Sequence, residues 1–115
     1  MAQQGADAIV VSEAAENVPW RQLIVEEAAK YRLPAIYTDR DHVALGGLMA
    51  YAEDWADLYR HAAMQIDQIL QGAKPADVPI YQSLGWKLII NLKTAKALGI
   101  EIPGSILTRA DEVIE

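Results

Sequence analysis

GADAIVVSEAAENVPWRQLIVEEAAKYRLPAIY, residues 5 to 37, decides the fold. Ala8 to Val11 is an uninterrupted apolar run rich in β-branched side chains, as expected for a strand covered on both faces in a parallel sheet. Ser12 to Val18 is polar and irregular. Pro19 then suits the first turn of a helix, where its missing N–H costs nothing. Leu23, Ile24, Ala28 and Tyr31 follow at helical spacing, so a helix is predicted from Pro19 to Arg32. Leu33 and Pro34 break it, and Ala35 to Tyr37 reads as a second strand. Residues 6 to 37 therefore form a βαβ unit, a crossover that is almost always right-handed.

Downstream, TDRDHVA at 38 to 44 is a charged connection. Gly46 and Gly47 free the backbone to pass close to a ligand or to neighbouring chain, and Leu48 to Tyr51 is predicted as a third strand. A long amphipathic helix begins near Asp54, whose carboxylate suits the positive end of the helix dipole. It runs through Trp55, Leu58, Tyr59, Ala62, Ala63, Ile66, Ile69 and Leu70 to a stop at Gly72. Ala73 to Pro79 is a linker. Ile80 to Ser83 and Lys87 to Asn91 are predicted to pair as short strands, and Asn91 or Thr94 to cap a short helix ending at Gly99. A last helix is predicted from Ser105 to Ile114. The chain contains no internal repeat and no low-complexity segment.

The 115 residues suffice for one core but not for two complete lobes. Hydrophobic residues make up 52% and charged residues 23%, a globular balance. The net charge of −6 repels phosphate backbones, so nucleic acid is excluded as a partner. No apolar run approaches the length of a membrane-spanning helix, and the start MAQQGADA has neither the charged nor the apolar part of an export signal. With no cysteine, disulfides, thiolate metal sites and a cysteine nucleophile are impossible.

No catalytic fingerprint stands out. His42 and His61 are not at metal-ligand spacing, and no nucleophile elbow, phosphate-binding loop or dinucleotide motif occurs. The chain is read as neither an enzyme nor a metal or cofactor protein. In open α/β sheets ligands sit beyond the carboxyl ends of the strands, which directs attention to Ser12 to Val18, Thr38 to Asp41 and Ala52 to Trp55. Glu13 and Glu16 could accept bonds from a ligand ammonium or simply keep a loop soluble. Arg40, between Asp39 and Asp41, has the planar fork that suits a carboxylate, or is one of several solvated loop charges. Tyr51, beside the glycines, and Trp20 could wall a solute pocket. Tyr37 and Trp55 are read as core.

GAKPADVP at 72 to 79, LIINLKTAKALGIEIP at 88 to 103 and RADEVIE at 109 to 115 carry a resemblance, as do GADAIVV at 5 to 11, YRLPAIY at 31 to 37 and GGLMAY at 46 to 51. Together these segments resemble the carboxyl-terminal part of ABC-transporter substrate-binding proteins with a type I periplasmic-binding-protein fold. Members of that family are much longer, with two α/β lobes and a solute held between them. The implied fold is an α/β fragment with a βαβ-based, partly parallel sheet flanked by helices. It is expected as one α/β unit over 1 to 115, with the βαβ part at 1 to 38 and the remaining strands and helices at 39 to 115.

The resemblance implies a solute-binding component of an ABC-type uptake system. Its partners would be a small solute, amino-acid-like or aromatic, and an ABC permease, and the parent protein would work in the periplasm or lipid-anchored outside the membrane. Several relatives place an acidic residue where Asp54 stands, near a ligand amino group; its other reading is a helix-capping acid. Glu13, Arg40, Tyr51 and Asp54 are thus the candidate contacts. Ala52 stands where many relatives have glycine, and SEAAEN at 12 to 17 departs from their proline- and phenylalanine-rich segment, so a relative's ligand does not transfer directly. A lone fragment is expected to bind solute poorly and, with apolar faces uncovered, to associate as a homodimer or larger. The alternative is a stand-alone α/β interaction or regulatory module.

Overall fold

A computed structural model describes residues 5–115. Its chain divides into two units, one made of the residues up to Ala52 and from Lys87 onward, the other of Glu53–Trp86.

The first unit is built on a five-stranded sheet in the order β1-β2-β3-β4-β5, with β1 Ile9–Val10, β2 Ala35–Tyr37, β3 Met49–Glu53, β4 Trp86–Asn91 and β5 Glu112–Ile114. β1 and β2 are parallel with Ile9 beside Ala35, and β2 and β3 are parallel with Tyr37 beside Ala50. The predicted βαβ unit is present, its crossover made by a 3-10 turn at Ala15–Trp20 and helix α1, Arg21–Lys30. At the other edge β4 and β5 are parallel, with Asn91 beside Ile114. Asn91, the last residue of β4, donates its N–H to the carbonyl of Leu48, just ahead of β3, at 2.9 Å. Two neighbouring strands joined end to start run in opposite directions, so the sheet is parallel in two blocks rather than throughout.

Val11, Val25, Ala28, Ala35, Tyr37, Val43, Ala50, Ala52 and Ile89 form the core, with Ile9, Ile24 and Ile114 packed against it. The small residues of β3 matter here. Ala50 and Ala52 are buried on one face while Tyr51 between them is exposed, the alternation of a strand with one covered side. Gly47 has a steric reason: a Cβ there would lie 2.6 Å from Cε2 of Tyr37 and 2.8 Å from the His42 carbonyl oxygen. The chain does pass close at the glycine pair, but against its own core.

Two elements of the first unit depart from expectation. The charged connection at 38 to 44 contains a short helix, α2, Arg40–Ala44, capped by the Asp39 side chain, which accepts from the Asp41 N–H. The predicted terminal helix from Ser105 to Ile114 is replaced by a single turn, α5, Gly104–Leu107, followed by β5. The backbone of β4 explains the change. Asp111 donates its N–H to the Leu88 carbonyl and accepts the Leu88 N–H on its side chain, both near 2.9 Å, so the end of the chain closes ladder groups that a helix would leave open. Between them, α4, Leu92–Leu98, starts at the Asn91 cap and ends at Gly99 with φ of 74°, as the sequence indicates.

The second unit holds α3, Trp55–Leu70, and the segment that returns beside it. Asp54 caps α3 by accepting the Asp57 N–H at 3.2 Å, and Gly72, with φ of 106°, stops it. Ile80 to Ser83, predicted as a strand, is irregular, and Ile80 is 97% exposed. What holds this segment is side-chain chemistry. The Tyr81 hydroxyl donates to Oδ2 of Asp57 at 2.5 Å, the Tyr81 ring stacks on His61 at 3.6 Å, and Gln65 Nε2 donates to the Pro79 carbonyl at 2.7 Å.

Candidate functional site

Because β1, β2 and β3 are parallel and adjacent, their carboxyl ends lie along one edge of the sheet. Glu13 follows β1 in an exposed segment that includes Ser12, whose carbonyl accepts from Nδ2 of Asn17 at 3.0 Å. Arg40 follows β2 as the first residue of α2, and Tyr51 lies within β3, about half exposed. Asp54 comes directly after β3 in the chain, at the cap of α3. Parallel pairing therefore gathers Glu13, Arg40 and Tyr51 toward one edge of the first unit, while Asp54 belongs to the second.

The charges of this edge are largely spent within the chain. The Arg40 fork grips Glu112 of β5, Nε to Oε2 at 2.9 Å and Nη2 to Oε1 at 2.5 Å, the bidentate geometry that a ligand carboxylate would otherwise use. That pairing raises the Arg40 pKa still further. Asp39 is doubly engaged, as the cap of α2 and as the ion-pair partner of Arg21, which also reaches Asp41 at 3.6 Å. Arg40 and Asp39 thus fasten α2 to β5 and to α1. Glu13 and Glu16 remain as exposed acids on the β1 side.

Of the aromatic residues, Tyr37 is core, as read from the sequence, at 1% exposed. Trp55 corrects its core reading: it is 45% exposed on α3. Trp20 is also exposed. His42, read as a loop residue, is buried and stacks on Tyr37 with ring centroids 4.7 Å apart, and neither of its ring nitrogens has a hydrogen-bond partner. Its burial was hidden by the charged neighbours that surround it in sequence. Burial lowers its pKa, and it also raises that of Tyr37.

A cavity of about 680 Å³ is an open apolar groove along β1 and α1 lined by Val10, Leu23, Ile24, Tyr31 and Leu33, with Ser12 and Asn17 also in its lining. Of the candidate edge it shares only Ser12 and Asn17, both in the Ser12 to Val18 segment. A smaller groove of about 190 Å³ lies within the second unit between His61, Met64 and Gln65 of α3 and Val78, Pro79 and Tyr81. Among the described residues, no cluster of His, Asp and Glu could hold a metal ion, and no helix is long and apolar enough to cross a membrane.

Comparison with known proteins adds the wider context. The family described as ABC transporter substrate binding protein matches residues 1–114. A Streptococcus pneumonia structure, described as an ABC domain in complex with L-Trp, is similar at 34% identity with a TM-score of 0.86 over 96% of this chain and 38% of that one. A conserved domain protein from Vibrio cholerae gives a TM-score of 0.88 at 23% identity over 97% of this chain and 38% of its own. The ligand-free, open structure of a substrate binding protein with adhesive properties from Clostridium difficile gives 0.67 at 21% identity. The latter two show likeness of fold alone. The chain spans a little over a third of the length of these structures. No curated protein matches it.

Proposed function

Because the chain belongs to the ABC transporter substrate-binding protein family, we propose that it is a portion of a two-lobed, non-catalytic receptor that captures a small solute for an ABC permease. In this reading the receptor works outside the inner membrane, and the residues present here supply one wall of the solute site. The observation that carries the proposal is the family match over residues 1–114, joined to coverage of only 38% of the similar L-Trp complex. A receptor of this kind holds solute by closing two lobes, so one wall alone gives few contacts and no exclusion of water.

The wall is assigned to the edge beyond β1, β2 and β3 of the first unit, with Glu13 and Tyr51 as its contacts, and Asp54, in the second unit, is assigned on its own as a contact for a ligand amino group. The exposed acid Glu13 and the half-exposed Tyr51 suit a solute with an ammonium and an apolar body, and an aromatic amino acid such as L-tryptophan combines the two. Arg40 is assigned a different role. Its fork is filled by Glu112, so it contacts a ligand carboxylate only if that ion pair opens.

The test is an amide NMR titration of the chain with a panel of amino acids that includes L-tryptophan. Weak, fast-exchange shifts confined to Ser12 to Val18, Thr38 to Asp41 and Ala52 to Trp55 are expected. Shifts confined elsewhere, none with any solute, or an affinity tighter than micromolar would overturn the half-site reading.

A further inference from the structure

Arg40 and Glu112 are 72 residues apart in the chain, yet they meet through two bonds, Nε to Oε2 at 2.9 Å and Nη2 to Oε1 at 2.5 Å. Fork against fork is among the strongest pairings a guanidinium can make, and it uses the same donors that a solute carboxylate would need. Glu112 is the first residue of β5, where its backbone is held in register beside Ile89 of β4. The fold itself therefore presents a carboxylate to Arg40. A free carboxylate competes only at the concentration of its solute. Glu112 competes at an effective concentration on the order of millimolar or more, because it belongs to the same folded chain.

Arg21 is withheld in the same way. It pairs with Asp39 and reaches Asp41 at 3.6 Å, so both arginines that come to the end of β2 face carboxylates of the chain. What stays exposed beyond β1 and β2 includes three acids, Glu13, Glu16 and Asp41. Such an edge attracts an ammonium and repels a carboxylate.

We propose that Glu112 sets the solute class of this wall. By filling the Arg40 fork it leaves the wall to read an ammonium and an apolar body, so an aromatic amine is taken at least as readily as the corresponding amino acid. A solute carboxylate adds nothing to binding here, and in the two-lobed receptor it would fall to the opposite wall. This role of Glu112 rests on the half-site reading given above and deepens it.

Three indole compounds separate the groups. Tryptamine carries the ammonium alone, indole-3-propionate the carboxylate alone, and L-tryptophan both. In amide NMR titrations of the wild-type chain, tryptamine is expected to shift Ser12 to Val18 at concentrations no higher than L-tryptophan needs. Indole-3-propionate is expected to leave Thr38 to Asp41 unmoved. Glu112→Gln keeps the shape of the side chain and frees the fork. Indole-3-propionate should then shift Thr38 to Asp41, and L-tryptophan should saturate at about fivefold lower concentration, the scale of one exposed ion pair. In Glu112→Gln/Arg40→Gln both gains should vanish, which separates the fork from the mere loss of a negative charge. The wild-type comparison decides even where a variant loses β5. Wild-type binding of L-tryptophan clearly tighter than that of tryptamine, or wild-type shifts at Thr38 to Asp41 with indole-3-propionate, overturns the proposal and leaves the half-site reading in place. So does a folded Glu112→Gln chain that binds L-tryptophan no better than wild type. No shift with any of the three compounds overturns the half-site reading, and the role of Glu112 with it.

Discussion

Gly47 and His42 show how tightly single residues are held around Tyr37. An alanine at 47 would press its Cβ into the Tyr37 ring and the His42 carbonyl, and neither can retreat, because the ring is almost wholly buried and the carbonyl is backbone. Gly47→Ala is expected to destabilise the chain by about 1–3 kcal/mol, the usual cost of overpacking, read by urea unfolding. His42 makes stability depend on pH. Burial lowers its pKa below the ordinary 6.5, with Arg21 acting in the same direction and Asp39 and Asp41 opposing. Between the folded value and 6.5 the unfolded chain binds a proton that the folded chain refuses. Its contribution is therefore complete above about pH 6.5 and is lost as pH falls. His42→Phe, which keeps a ring beside Tyr37 and cannot be protonated, is expected to flatten the decline in urea midpoint between pH 7.5 and 5.

Individual elements depend on caps as much as on apolar spacing. Asn91 ends β4 and begins α4: its Oδ1 accepts the Thr94 N–H at 3.1 Å, its Nδ2 reaches the Val43 carbonyl, and its backbone N–H bonds to Leu48. One residue joins strand, helix and core loop. Asn91→Ala is expected to cost about 1–2 kcal/mol, chiefly the lost cap of α4, since the Val43 carbonyl keeps the Gly46 N–H as a donor; thermal or urea unfolding measures it. At this scale the sequence was legible where a capping residue and an apolar period agreed, as at Asp54, Asn91, Gly72 and Gly99. It misled at 105 to 114, where helical spacing was real but the open edge of β4 offered the backbone better partners. It also misled at 38 to 44, because two buried residues, His42 and Val43, sit among charges that are paired within the chain.

For the whole molecule, cohesion is unevenly distributed. The first unit owns the core cluster, whereas the helix that dominates the second has no buried residue. Amides of β2, β3 and β4 are accordingly expected to be the slowest to exchange with deuterium. Those of α3 should exchange much faster in dilute solution. Equal protection of α3 and β3 under those conditions would contradict this division. The same unevenness bears on the receptor reading, since a structure that leaves Val10 of the β1 edge and apolar side chains of α3 exposed has apolar surface to offer.

The βαβ unit, the long amphipathic helix, its caps and the family were determined by the sequence itself, because apolar period, cap chemistry and motif are local and survive without knowing what packs where. Only tertiary structure decided that β4 runs against β3, that the last residues form a strand, that His42 is buried and that Arg40 is occupied by Glu112. Each of these depends on a partner distant in the chain, 72 residues away for the arginine pair. Local pattern records the preference of a segment, but not which remote group will satisfy it.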